Sequence, residues 1–214
     1  YYLNGILVEI EGSNVNLVAT DGHRLAWATQ SLESDLDENK LILPRKSALE
    51  LQKLLNLNPG VVNLSFSSNQ ILISSDEFSF VSKLIEGNYP DYQKVFPSGE
   101  EQTLKVEKSL IQTALSRASV LSNEKYRGVK FILTKDNLKI CANNPSKETA
   151  EEEISVDYSG DDLEIGFNIS YIQDSLSVIH NSEVDFVFYG PENSCIIKNN
   201  KNDNLVHVIM PMRL

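Results

Sequence analysis

The sequence has 214 residues, 41% hydrophobic and 23% charged, the balance of a folded globular protein with enough apolar material for one large core or two smaller ones. Acidic residues outnumber basic ones 30 to 19, for a net charge of −11, which excludes a protein that grips nucleic acid through a broad basic face. No run approaches the roughly 20 apolar residues that cross a bilayer, and the first residues lack the pattern of a signal peptide. The expectation is a cytoplasmic protein whose two cysteines, Cys141 and Cys195, are reduced and buried, and in that context the glycosylation sequons at Asn63 and Asn168 are chance matches.

In chain order, residues 5–19 alternate apolar and polar side chains on either side of Glu11-Gly12-Ser13-Asn14, which predicts two hairpin strands joined by a turn. Leu41-Ile42-Leu43-Pro44 leads into a helix with Ala48, Leu51 and Leu55 on one face. Strands are predicted over 61–66, 71–74 and 78–84, and Phe96-Pro97-Ser98-Gly99-Glu100-Glu101 reads as a linker. The next helix carries Leu110, Ile111, Ala114, Leu115 and Ala118 on one face and Lys108, Gln112, Thr113 and Arg117 on the other. A second hairpin turns at Thr134-Lys135-Asp136-Asn137, and Leu163-Glu164-Ile165-Gly166 leads into a helix marked by Ile169, Ile172, Leu176 and Ile179, with Asn168 as its N-cap. Strands over 184–188, 195–198 and 205–210 complete the chain.

The pattern is a repeat. With Gly5 set on Gly128 and no gap, Val8 meets Phe131, Ile10 meets Leu133, Val15 meets Leu138, Leu17 meets Ile140 and Ala19 meets Ala142. Two homologous α+β domains follow, residues 1–98 and 99–214. The helix around residue 114 has no counterpart ahead of the first hairpin, and the sequence does not begin with methionine, so the expectation is a fragment whose first domain lacks its N-terminal helix.

Nothing in the chain has the pattern of a catalytic centre. There is no GxxxxGK[ST] loop and no GxSxG elbow, and His180 and His207 stand alone. Asp21, His23 and the run Glu151-Glu152-Glu153 supply donors for a metal-dependent nuclease or hydrolase, the rival reading. Their spacing fits a loop imidazole and a solvated charge run better. No enzyme activity, cofactor or metal is expected.

Five motifs carry a family resemblance: Ala19-Thr20-Asp21-Gly22-His23-Arg24-Leu25, Leu43-Pro44-Arg45-Lys46, Gly87-Asn88-Tyr89-Pro90-Asp91-Tyr92, Ser122-Asn123-Glu124-Lys125-Tyr126-Arg127-Gly128 and the terminal Met210-Pro211-Met212-Arg213-Leu214. Together they resemble the bacterial beta sliding clamp of DNA polymerase III, from Tyr1 to Leu214 in unbroken order. The resemblance implies a DNA clamp fold of three similar domains per subunit, each with antiparallel sheets on one face and helices on the other, of which this chain holds a shortened second and a whole third. It implies a homodimeric ring around duplex DNA when the protein is full length. It implies a processivity role in DNA replication, tethering replicative and other polymerases, the clamp loader and repair factors that carry Gln-Leu-x-Leu-Phe type peptides. Enclosure holds DNA without broad basic charge, which accommodates the acidic composition.

The resemblance also assigns residues. The peptide pocket takes Leu3, Thr20, Gly22, His23, Arg24, Leu25, Pro90, Lys94 and Val95 from the first copy. From the second it takes Tyr126, Asn168, Tyr171, Ser194, Val208, Ile209, Met210, Pro211, Met212 and Arg213. Both methionines of the chain lie in its last five residues, where adaptable side chains suit varied apolar anchors, although strand packing explains Val208 and Met210 equally well. Glu192 stands where a small or apolar residue is expected, and Lys94 where arginine is common. The DNA lining takes Tyr1, Tyr2, Arg45, Lys46, Lys53, Lys108 and Arg117, with ordinary solvated surface as the alternative for the charged ones. The subunit interface takes Val120, Leu121, Glu148, Glu151 and Glu152.

Overall fold

A computed structural model of the chain describes residues 3–199 and 202–214. The chain divides into two compact units. One holds Ala26–Tyr92 with the residues before Gly22, and the other holds Gln93–Leu214 with the short segment Gly22–Leu25. Among the described residues no helix is long and apolar enough to cross a membrane.

The first unit contains β1 (Gly5–Thr20), most of β2 (Arg24–Pro44), α1 (Arg45–Leu57) and a three-stranded antiparallel sheet of β3 (Asn63–Phe66), β4 (Gln70–Ser74) and β5 (Ser79–Lys83). At the expected turn, Glu11 to Asn14, Gly12 adopts a left-handed φ of 57° between exposed Glu11 and Asn14, the backbone state that glycine reaches without a Cβ penalty. Val8, Ile10, Val15, Leu41, Leu43, Ile71 and Ile73 form the core, with Ala48 and Leu51 of α1 packed on it. Two buried polar residues meet inside this unit. The Tyr92 hydroxyl donates to Glu9 at 2.5 Å and Lys40 pairs with the same carboxylate at 2.6 Å.

The second unit is built from β6 (Gln102–Glu107), α2 (Lys108–Ser119), β7 (Gly128–Thr134), β8 (Asn137–Asn143), β9 (Thr149–Ser155), β10 (Asp157–Tyr158), β11 (Leu163–Asn168), α3 (Ile169–Val178), β12 (Glu183–Phe188), β13 (Cys195–Asn199) and β14 (Asn202–Ile209). Strands β11, β7, β8 and β9 make an antiparallel sheet in that order, and β14, β13, β12, β6 and β10 lie in that order in another. Buried Phe131 organises the core, edge-on to Phe167 at 5.5 Å and tilted against Phe186 at 6.3 Å.

Helix α2 packs against α3. Ile111, Ala114, Leu115 and Ala118 are buried as their spacing predicts, but Leu110 turns outward at 38% exposed because it sits off the centre of that stripe. Asn168 caps α3, its Oδ1 accepting from the Ser170 N–H at 2.9 Å. Both cysteines are free thiols; Cys195 is buried, whereas Cys141 is only half-buried, because it alternates to the outer face of β8.

Candidate functional site

Tyr171 and Asp174, three residues apart on α3, present neighbouring side chains, as helical spacing requires. The segment Gly22–Leu25 docks onto them: Arg24 donates to Asp174 at 2.6 Å, and its guanidinium carbon lies 4.4 Å from the centroid of the Tyr171 ring. The His23 ring stacks on Tyr171 with centroids 6.5 Å apart and planes 20° apart, and the Met210 N–H donates to the His23 carbonyl at 3.0 Å. Gly22, at φ +86°, makes the left-handed turn that admits this docking. With its side chain one-third exposed, the Arg24 pair contributes little stability after solvent screening; its effect is to fix the orientation of an aromatic face. His207, buried on β14, is pushed down to about 4 by burial and then by the Arg24 charge, so it is neutral at pH 7.

Beyond Ile209 the chain leaves the sheet and crosses β11, where the Met212 N–H donates to the Gly166 carbonyl at 2.7 Å. Met212, Arg213 and Leu214 then wall a cavity of about 620 Å³, whose other lining includes Asn123, Tyr126, Lys130, Ile132, Cys141 and Glu151. Asn123 shapes the Tyr126 loop by accepting from the N–H groups of Lys125 and Tyr126, and the Asn168 side-chain amide donates to the Tyr126 carbonyl at 3.4 Å. The result is an amphipathic surface with charged contacts that include Arg213 to Glu192 at 3.8 Å, between side chains almost fully in water, and Lys130 to Glu164 at 3.3 Å.

Within the second unit the structure therefore gathers His23, Arg24, Tyr126, Asn168, Tyr171, Met210 and Met212 of the predicted pocket, with half-buried Ser194 just ahead of β13. Of the predicted lining, Leu25, Val208 and Ile209 are at most 1% exposed and lie beneath the surface that the other residues present. Lys94 and Val95 belong to the second unit, and Leu3, Thr20 and Pro90 to the first. Asp174, Gly166 and Leu214 were not expected at the site. Asp174 was legible in principle from its spacing to Tyr171, whereas the other two depend on where the tail runs.

Of the DNA-lining assignments, Tyr1 and Tyr2 lie outside the described residues. Arg45, Lys46 and Lys53 are exposed on α1, with Lys53 paired to Glu50 at 3.0 Å. Lys108 donates to the Ile179 carbonyl at 2.6 Å, and Arg117 grips Glu152 through two bonds of 2.9 and 2.7 Å. Arg117 also borders an open concavity of about 530 Å³ with Ser109, Gln112, Thr113, Ser116 and Gln173. Of the interface assignments, Val120 is 78% exposed, Leu121 half-buried and Glu148 exposed, while Glu151 and Glu152 lie on β9, an edge strand of its sheet. The rival metal-site reading of Asp21, His23 and residues 151–153 gains no support. Glu151 and Glu153 flank Lys139, Glu152 takes Arg117, and among the described residues no group of three His, Cys, Asp or Glu side chains is arranged to hold a metal.

Comparison with known proteins gives concordant matches. The family model "DNA polymerase III beta subunit, central domain" matches residues 1–91, and "DNA polymerase III beta subunit, C-terminal domain" matches residues 93–213. The chain is 44% identical over 217 residues to the beta sliding clamp of Pseudomonas aeruginosa strain PAO1, covering all of this chain and 59% of that protein. It is 40% identical over 214 residues to the clamp of Escherichia coli K12, covering 100% and 58%. The crystal structure of the DNA polymerase III subunit beta from P. aeruginosa superimposes with a TM-score of 0.96 at 43% identity, covering 100% of this chain and 59% of that one. The sliding clamp from Bartonella birtlesii bound to griselimycin superimposes at 0.93 and 36%, with the same coverage. The chain thus spans about three-fifths of the length of these relatives.

Proposed function

Because the chain belongs to the DNA polymerase III beta-subunit family, matching its central and C-terminal domains, we propose that it is the partner-binding part of a ring-shaped sliding clamp. Such a clamp is a non-catalytic processivity factor that encircles duplex DNA as a homodimer. On this reading the two units are the second and third clamp domains, and the site tethers polymerases, the clamp loader and repair factors through short Gln-Leu-x-Leu-Phe type peptides.

The observation that carries the reading is the assembly of His23, Arg24, Tyr171 and Met210 beside the tail. It is an oriented aromatic face next to adaptable methionines, the kind of surface that receives the apolar anchors of a short peptide. Relatives have been crystallised with ligand, two of them bound to griselimycin, which supports ligand capture by clamps of this family. The α2 concavity supports the DNA role: it offers hydroxyls, amides and an arginine already shared with Glu152, a surface that contacts phosphates without pinning them.

Calorimetry with a Gln-Leu-Ser-Leu-Phe peptide tests the pocket. The expected affinity is roughly micromolar, about −8 kcal/mol, since a short flexible peptide loses conformational entropy and buries only a few anchors. Deleting residues 210–214 removes a wall and weakens binding at least about tenfold. Met212→Ala costs less, because flexible neighbours refill the space. Unchanged affinity after the deletion would place the site elsewhere.

A further inference from the structure

Gly128 and Gly166 sit inside regular strands, where a glycine weakens pairing and packs nothing, and neither has the left-handed backbone that would call for one. The register sets Asn168 opposite Gly128 and Gly166 opposite Lys130, so both glycines face the same side of the sheet, away from the core formed by Val129, Phe131, Ile165 and Phe167. The tail lies on that side. A Cβ built on Gly166 would stand 2.3 Å from the Met212 carbonyl oxygen and 2.9 Å from Leu214 Cγ; one built on Gly128 would stand 2.3 Å from Leu214 Cδ2. With the hydrogen bond from the Met212 N–H to the Gly166 carbonyl, the two positions form a slot, bare of side chains, that residues 212–214 occupy.

We propose that Gly128 and Gly166 are positioning residues of the peptide site: the slot seats the last three residues as a fixed wall, so that a partner peptide meets a preformed groove instead of ordering a loose tail. The inference rests on the peptide-binding reading and adds to it a cause for the groove's shape. Seating the wall in advance spares the complex the entropy of immobilising it. The two positions are not equivalent. At Gly166 the obstacle is tail backbone, which can only move away; at Gly128 it is the end of a leucine side chain, which can rotate.

The test compares the intact chain, Gly166→Ala, Gly128→Ala and a chain lacking residues 212–214, using calorimetry with Gln-Leu-Ser-Leu-Phe, thermal melting, and the rate at which a carboxypeptidase releases Leu214. Gly166→Ala is expected to melt no lower than the parent, to release Leu214 faster and to bind peptide at least about tenfold more weakly. In the tail-deleted chain the same substitution is expected to cost nothing further, and Leu214→Ala is expected to rescue Gly128→Ala but not Gly166→Ala. Equal release of Leu214 from parent and Gly166→Ala overturns the slot. An equal affinity loss with and without the tail overturns the role of the glycine through the tail. If the parent chain binds no peptide, the pocket reading falls while the release rates still decide whether the slot exists.

Discussion

Glu9 is a carboxylate with 5% of its side chain exposed, in a unit whose other core residues are aliphatic. Burial alone would push its pKa up, but hydrogen bonds from Lys40 and Tyr92 and the Lys40 charge outweigh burial and hold it below the ordinary carboxylate value. A carboxyl depressed in the folded state stabilises the protein above its unfolded pKa of about 4.3, and that contribution is lost as pH falls through the lower folded value. Glu9→Gln is therefore expected to cost about 1.5–3 kcal/mol at neutral pH, and the difference from the parent is expected to shrink steadily below about pH 4.3. Thermal melts of both chains across that range check it; a difference that stays constant with pH would show that the charge is not what Glu9 contributes. The residues bearing chemistry at the candidate site were mostly legible because their motifs are local. Burial was less legible: Leu25, Val208 and Ile209 sit within those motifs and are at most 1% exposed, which a local motif does not reveal.

Among the described residues, spacing located the three α-helices but not the short 3-10 helix Tyr92–Val95. α2 and α3 bury the stripes their apolar residues define, although α3 ends at Val178 and Ile179 continues as extended chain that still reaches the core. The hairpin β7 and β8 follows its alternation, with Leu133 opposite Leu138 across a turn where Asp136 has φ 58°. Several strands were not legible, among them most of β2, β6, β9 and β10. β9, whose sequence is Thr-Ala-Glu-Glu-Glu-Ile-Ser, fully buries only Ile154 and holds its place through pairing with β8, and its glutamates read as a solvated run. β6 pairs with β12 and β10, partners distant in sequence, and buries only Leu104 and Val106. β9 lies at a sheet edge, where a strand needs little hydrophobic alternation, whereas β6 lies inside its sheet but is too short to show more than two buried positions. The glycine slot was invisible for a related reason: Gly128 and Gly166 have meaning only once the tail is seen above them.

For the whole molecule, the internal repeat predicts two units, and the chain divides into two. That Gly22–Leu25 groups with the second unit was not legible, because the contacts of Arg24 and His23 with Tyr171 and Asp174 span about 150 residues. At this scale the net charge of −11 and the neutralised Arg117 predict that the 214-residue chain binds linear duplex DNA weakly and with steep salt dependence, since only a few counterions are released. Fluorescence anisotropy at about 150 mM salt checks this, and submicromolar affinity there would mean that DNA is held by attraction and not by enclosure. The central claim is that partner peptides dock on the surface made by His23, Arg24, Tyr171 and the seated tail. Its most direct test is a titration of the isotope-labelled chain with Gln-Leu-Ser-Leu-Phe, followed through backbone amide shifts. Saturable shifts are expected, centred on residues 22–25, Tyr171 and residues 212–214; amides there that stay fixed while the peptide binds and moves residues elsewhere would contradict docking at this surface.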